Sequence, residues 1–204
     1  FAEYADLWQW SVDQRAAFWE TLWSFAGVRA SRPYERVLEN ADAMPGARWF
    51  PGARLNFAEN LLRYRDPQPA LIFHGEDSEQ LTLSHAELYA QVARLAAAFR
   101  SLGIAEGDRV AAILPNIPQA VIAMLATSWL GAVWSSCSPD FGARGILDRF
   151  GQIAPKLLIT VDGYRFKGRV IDLGDKIREV RAGLGTDCRY GLMIDWLGLG
   201  ERTD

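Results

Sequence analysis

VAAILPNIPQAVIAMLATSWLGAVWSSCSP, residues 110–139, places thirty positions in a row without Asp, Glu, Lys, Arg or His. Pro115, Asn116, Pro118 and Gln119 interrupt the run once and Gly131 interrupts it again, so it divides into strand, helix and strand. A strand covered on both faces has no use for charge, and the pattern predicts a βαβ crossover within a parallel sheet. Ligands of such sheets bind beyond the carboxyl ends of the strands. The places to look are then Pro115, Ser135–Phe141 and Val161–Arg169. A membrane span is the competing reading. It fails because Ala120–Trp134 is shorter than the roughly 20 apolar residues a span needs, contains Thr127, Ser128 and Gly131, and has no flanking Lys or Arg cluster.

On both sides of this unit the alternation continues. Upstream, Ala70–His74 and Gln80–Leu83 read as two strands of a hairpin-like pair joined through the polar Gly75–Glu79. Ser84 and Glu87 form a capping box for a helix His85–Leu102, whose apolar face is Leu88, Val92, Leu95, Ala96 and Phe99 and whose stop is Gly103. Asn116 and Gln119 are expected to cap the helix Ile117–Leu130, with Pro118 in its first turn. Downstream, Gly142–Gln152 reads as helix, Lys156–Val161 as strand, Val170–Ala182 as helix and Arg189–Ile194 as a last strand. This order predicts an α/β fold, a mainly parallel Rossmann-like sheet with helices on both faces. No internal repeat is present, which argues against a solenoid.

Residues 1–66 differ in character and are read as a helical N-terminal extension, with 67–204 as a first α/β subdomain. Ser11 and Gln14 look like a capping box, followed by Phe18, Trp19, Leu22, Trp23 and Ala26 at helical spacing and by Gly27 as a stop. These aromatics read as a packing face, not as a cofactor box. Asn56 and Glu59 form a second cap pair before a short helix Phe57–Arg63.

Composition excludes several classes. Of 204 residues 50% are hydrophobic, the net charge is −3 and the isoelectric point about 5.5, which argues against a nucleic-acid binder. Cys137 and Cys188 alone give neither a disulfide framework nor a CxxC site, so a reducing cytoplasm is the default expectation. His74 and His85 are the only histidines, too few for a histidine-rich metal centre. No secretory signal is visible, and a chain opening on Phe1 in place of Met is expected to be trimmed.

The chemistry-bearing stretch is Gly163-Tyr164-Arg165-Phe166-Lys167-Gly168-Arg169-Val170. It approaches a phosphate-binding P-loop but lacks Lys and Ser or Thr after the second glycine, which excludes nucleotide hydrolysis there. Arg165, Lys167 and Arg169 nevertheless cluster at a strand end, before the expected helix start at Val170. Cations there oppose the helix dipole and suit a bound anion. The alternative is a solvated basic loop paired with Asp162, Asp172 or Asp175. Gly183-Leu184-Gly185 and Gly198-Leu199-Gly200 do not complete a dinucleotide fingerprint, and no GxSxG elbow occurs. Cys137 is placed as a nucleophile or, more commonly for such a residue, as a small buried hydrophobe. No catalytic residue is named by these patterns.

Trp49-Phe50-Pro51-Gly52-Ala53-Arg54-Leu55-Asn56-Phe57-Ala58-Glu59-Asn60-Leu61-Leu62 resembles the entry segment of acyl-CoA synthetases of the acetyl/acetoacetyl branch. Gly107-Asp108-Arg109-Val110-Ala111 with Leu114-Pro115-Asn116 is similar to the first core strand of AMP-forming adenylating enzymes, and the likeness runs through Gly131–Ser136 to Tyr164–Arg169. Trp8–Val12 and Ser135–Phe141 most resemble the acetoacetate–CoA ligases. The resemblance implies a two-step ligation of acetoacetate, ATP (with Mg) and coenzyme A through an acyl-adenylate. It also implies a coenzyme A contact in the loop, where Arg169 matches one of two phosphate-binding arginines of the acetyl-CoA synthetases. The second position falls on Phe166, flanked by Arg165 and Lys167, with Gly168 completing the loop and Asp140 and Phe141 beside the pantetheine channel. The family's Gly-rich ATP loop, adenine and ribose motifs and C-terminal lysine are not among these residues. The chain is therefore expected to be an N-terminal fragment, inactive alone. Another short-chain acyl-CoA synthetase, or a non-catalytic binding module for coenzyme A or another phosphate ligand, are the alternatives.

Overall fold

The computed structural model describes residues 1–77 and 79–199. The chain separates into two compact units, Phe1–Asn60 and a second one from Leu61.

The first unit carries helices α1 (Tyr4–Asp13) and α2 (Arg15–Phe25) and the two-residue strands β1 (Leu38–Glu39) and β2 (Arg48–Trp49). Ser11 does not open a helix as its spacing with Gln14 suggested. It lies inside α1, its hydroxyl donating to Trp8 O at 2.7 Å, while Glu3 and Asp6 form the capping box. That outcome is physical, since a mid-helix serine satisfies its hydroxyl on the preceding turn. Trp23, Tyr34 and Phe50 pack ring on ring at centroid distances of 4.6–5.3 Å. Asn56 Oδ1 accepts from Glu59 N at 3.1 Å, capping α3 (Phe57–Leu61).

The second unit contains the antiparallel pair β3 (Pro69–His74) and β4 (Gln80–Ser84), helix α4 (His85–Ser101), β5 (Arg109–Ile113), α5 (Pro118–Trp129), β6 (Val133–Cys137), α6 (Ala143–Phe150) and β7 (Leu157–Val161). There follow β8 (Gly163–Phe166), β9 (Arg169–Asp172), α7 (Gly174–Leu184) and β10 (Tyr190–Ile194). Strands β10, β7, β5 and β6 form one parallel sheet in that order, with Val110 in register with Trp134 on one side and Leu157 on the other. The uncharged run is thus the β5–α5–β6 crossover. Right-handed crossovers then fix the layers. The chain steps outward from β5 to β6 and returns past β5 to β7, so α6 and α7 lie on the face opposite α4 and α5.

On the α6–α7 face, Ala111, Ile113, Cys137 and Leu158 meet Ile146, Phe150 and Val180 in a buried cluster. Every residue of β7 is buried, as are the last four of β5. Cover on both faces does not extend to β6, an edge strand whose Val133 is half exposed. Ser84 and Glu87 close the capping box at α4. The expected cap of α5 by Asn116 and Gln119 does not form. Ile117 is the N-cap, Pro118 supplies the first turn, and Gln119 Oε1 lies buried without a hydrogen-bond partner among the described residues.

Candidate functional site

Because β5, β6 and β7 run parallel, Leu114–Ile117, Ser138–Phe141 and Asp162–Gly163 all emerge at one rim. The strand order reverses between β5 and β7, the position where open α/β sheets leave a crevice. A cleft of about 260 Å³ opens there, lined by Phe73 and His74, by Pro115 and Asn116 after β5, and by Arg165 and Trp196 among others.

Asp162 builds this rim. Its buried carboxylate accepts the backbone N–H groups of Gly163, Trp196, Leu197 and Leu199 at 2.8–3.1 Å, and so gathers the starts of two loops around one charge. Burial acts to raise its pKa, but the four N–H donors together outweigh burial and hold it below the ordinary carboxylate range. Gly163 is required next to it. A Cβ there would lie 2.7 Å from Ile171 O and 2.7 Å from a Leu199 methyl.

The basic stretch is not the start of a helix. Gly163–Phe166 and Arg169–Asp172 pair as a hairpin, and the helix begins at Gly174, not Val170. Lys167 and Gly168 form its two-residue turn with φ of 51° and 72°, the left-handed pair of a type I′ connection. The three cations therefore stand on an exposed ribbon, and the helix dipole plays no part in neutralising them.

Their neighbours are specific. Arg165 Nε lies 2.9 Å from Asp77 Oδ2, both side chains rather less than half exposed. The amides of Lys167 and Gly168 donate to the two oxygens of Glu76, each at 3.2 Å. Lys167 Nζ sits 5.2 Å from the ring centroid of the exposed Phe166. Arg169 is exposed, faces Phe166 in register and has no carboxylate partner among the described residues. None of the three carboxylates offered by sequence proximity is used. Asp162 is occupied as above, Asp172 accepts from Gly174 N at 2.6 Å, and Asp175 pairs with Arg178.

Asp140 lies at the same rim and is tied to the hairpin. Its carboxylate accepts from Tyr164 Oη at 2.6 Å and from Ser138 Oγ at 2.8 Å, and these bonds lower its pKa. Tyr164 is pushed up to about 12 by burial, reinforced by the Asp140 carboxylate. Lys176 Nζ donates to Pro139 O at 2.6 Å, and the Arg149 guanidinium lies 4.1 Å above the Phe141 ring. The rim thus gathers Arg165, Phe166, Lys167, Gly168, Arg169, Asp140 and Phe141 on two connections joined by one hydrogen bond.

Sequence reasoning gave no role to Glu76, Asp77 or Tyr164 and offered Asp162 only as a partner for the basic loop. The acidic turn between β3 and β4 mirrors the basic turn between β8 and β9, and that charge complementarity was the available signal. Cys137 is buried, and desolvation raises its thiol despite Arg149 and Lys176 nearby, which suits a core residue and not a nucleophile. His85 Nδ1 rests 3.0 Å from Asp66 Oδ1 at the start of α4. Among the described residues no group of three or more His, Cys, Asp or Glu side chains is placed to hold a metal ion, and no helix is long and apolar enough to cross a membrane.

Comparison with known proteins gives this geometry a context. The AMP-binding enzyme family matches residues 57–192, and the acetyl-coenzyme A synthetase N-terminus matches residues 4–61. An acetoacetyl-coenzyme A synthetase of Rhizobium meliloti (strain 1021) is 52% identical over 91% of this chain and 28% of its own length. The Danio rerio acetoacetyl-CoA synthetase is 40% identical over 100% of this chain and 30% of its own. A malonamoyl-CoA synthetase of Penicillium aethiopicum is 41% identical over 87% and 25%. The solved structure of an acetoacetyl-CoA synthetase from Streptomyces lividans superposes with a TM-score of 0.92 at 48% identity, covering 100% of this chain and 32% of that one. The chain spans less than a third of the length of these relatives.

Proposed function

This chain belongs to the AMP-binding enzyme family, and from that premise we propose that it supplies the coenzyme A side of an acid–CoA ligase whose acid is acetoacetate. In the proposed reaction the acetoacetate carboxylate attacks the α-phosphorus of ATP and expels pyrophosphate. The coenzyme A thiolate then attacks the acyl carbon and expels AMP, giving acetoacetyl-CoA. The observation that carries the assignment is the basic hairpin, with Arg165, Lys167 and Arg169 exposed at the carboxyl rim and bonded through Tyr164 to Asp140.

On this reading the hairpin holds the phosphates of coenzyme A, with Arg169 as the principal contact because no internal carboxylate engages it among the described residues. Asp140 and Phe141 border the path of the pantetheine arm. Magnesium accompanies ATP, and no group of three or more His, Cys, Asp or Glu side chains among the described residues is placed to hold it. The 204 residues contain no Gly-rich Ser/Thr loop followed by Lys, so by themselves they do not adenylate acetoacetate. Two buried free thiols suit a reducing cytoplasm.

Pyrophosphate release in a protein of the relatives' length that carries this chain tests the assignment. Release is expected to be fastest with acetoacetate, and the 204 residues alone are expected to give none. Faster release with acetate or butyrate would remove acetoacetate as the acid. The malonamoyl-CoA synthetase relative favours one other reading, a β-amide acid in place of the β-keto acid. Faster release with malonamate than with acetoacetate would select it.

A further inference from the structure

The rim carries two kinds of carboxylate. Asp162 is buried under four backbone donors and is a fixed part of the fold. Glu76 and Asp77 are exposed, come from the β3–β4 turn about ninety residues upstream, and sit on the basic hairpin. Glu76 presents one oxygen to Lys167 N and the other to Gly168 N. Consecutive amides of a left-handed turn that converge on one group form an anion seat, and here the seat holds a side chain of the same molecule. Asp77 does the same for Arg165, at 2.9 Å. Ion pairs this exposed hold weakly in water. A phosphate offers the same oxygens with more charge and is the stronger partner for both amides and guanidinium.

We infer that Glu76 and Asp77 form an internal anion that occupies the hairpin turn and is displaced by a phosphate-bearing ligand, so that the β3–β4 turn acts as a competitive latch over the cleft. The inference rests on reading the hairpin as the coenzyme A phosphate site and adds what that site must release before it binds. Arg169 stands outside the latch and gives an arriving phosphate its first contact. The latch then opens as Glu76 leaves the two amides and Asp77 leaves Arg165. Its effect is to weaken, by one common factor, the binding of every anion that needs the open turn.

Titrating inorganic pyrophosphate into the isotopically labelled chain, while following the Lys167 and Gly168 amide resonances, tests the latch without coenzyme A. In Glu76→Gln and Asp77→Asn variants these resonances are expected to saturate at about three- to tenfold lower pyrophosphate than in the unaltered chain. Equal or higher saturating concentrations, or no response in any of the three proteins, would overturn the latch. Parallel calorimetric titration with coenzyme A and dephospho-coenzyme A separates the two readings. Tighter pyrophosphate binding in the variants without any coenzyme A binding leaves the latch standing and removes the ligand assignment. Coenzyme A binding that is equally tight in variants and unaltered chain keeps the assignment and removes the latch.

Discussion

Tyr164 Oη donates a 2.6 Å hydrogen bond to Asp140 Oδ1, and this bond makes the loop after β6 and the hairpin after β7 a single structure. Asp140 keeps a second bond from Ser138 Oγ at 2.8 Å, so losing the phenol leaves it partnered but removes its tie to the hairpin. Tyr164→Phe is expected to lower stability by about 1 kcal/mol, the net value of one such bond. Urea unfolding at neutral pH reads this as a lower midpoint at unchanged slope.

The same pair sets a dependence on pH at each end of the range. With Tyr164 pushed up to about 12 in the native chain and near 10 when unfolded, its contribution is complete below pH 10 and lost as pH rises through 12. Asp140 works in the opposite direction. Its lowered native pKa gives stability that is present above the unfolded value of about 3.9 and lost as pH falls through the native one. Phenolate absorbance is expected to show late-titrating tyrosines, Tyr34 among them, with one fewer in Tyr164→Phe. An unchanged number of late-titrating groups in that variant would contradict the assignment.

Asp162 organises the rim through charge, so the isosteric Asp162→Asn is expected to cost about 3 kcal/mol, because an amide brings two donors to a site filled with donors. The difference between the two proteins is expected to shrink as pH falls from about 3.9 through the lowered native value, since the unaltered side chain then takes up a proton. Denaturant midpoints measured across that range check both statements.

Gly163→Ala probes the fit between β7 and the hairpin without touching any charge. Its methyl would press 2.7 Å from a backbone carbonyl at Ile171, which cannot swing aside like a flexible side chain. A loss of about 1–3 kcal/mol is expected, read as a lower thermal midpoint.

The crossover at residues 110–137 was legible because burial on both faces of β5 imposes a composition that no exposed segment shares. The Ser84–Glu87 cap was legible because both of its bonds are local. The hairpin was not. Lys167-Gly168 carries none of the Asn or Asp that usually mark a left-handed pair, and two four-residue strands look like a loop in sequence. Of the seven rim residues, Arg165, Lys167 and Arg169 were read from charge and position and Phe166, Gly168, Asp140 and Phe141 from the family resemblance, and neither route gave their partners. Asp77 and Glu76 reach them across about ninety residues of chain, whereas the nearby Asp162, Asp172 and Asp175 are consumed by backbone amides and by Arg178. Local spacing carries no record of a contact that only the sheet brings about.

Calorimetric titration of coenzyme A into this chain and into its Lys167→Ala, Arg169→Ala double variant tests the central claim most directly. Saturable binding by the unaltered chain is expected, weakened about tenfold or more in the variant as charge-assisted phosphate contacts are lost. Equal dissociation constants for the two proteins would contradict it.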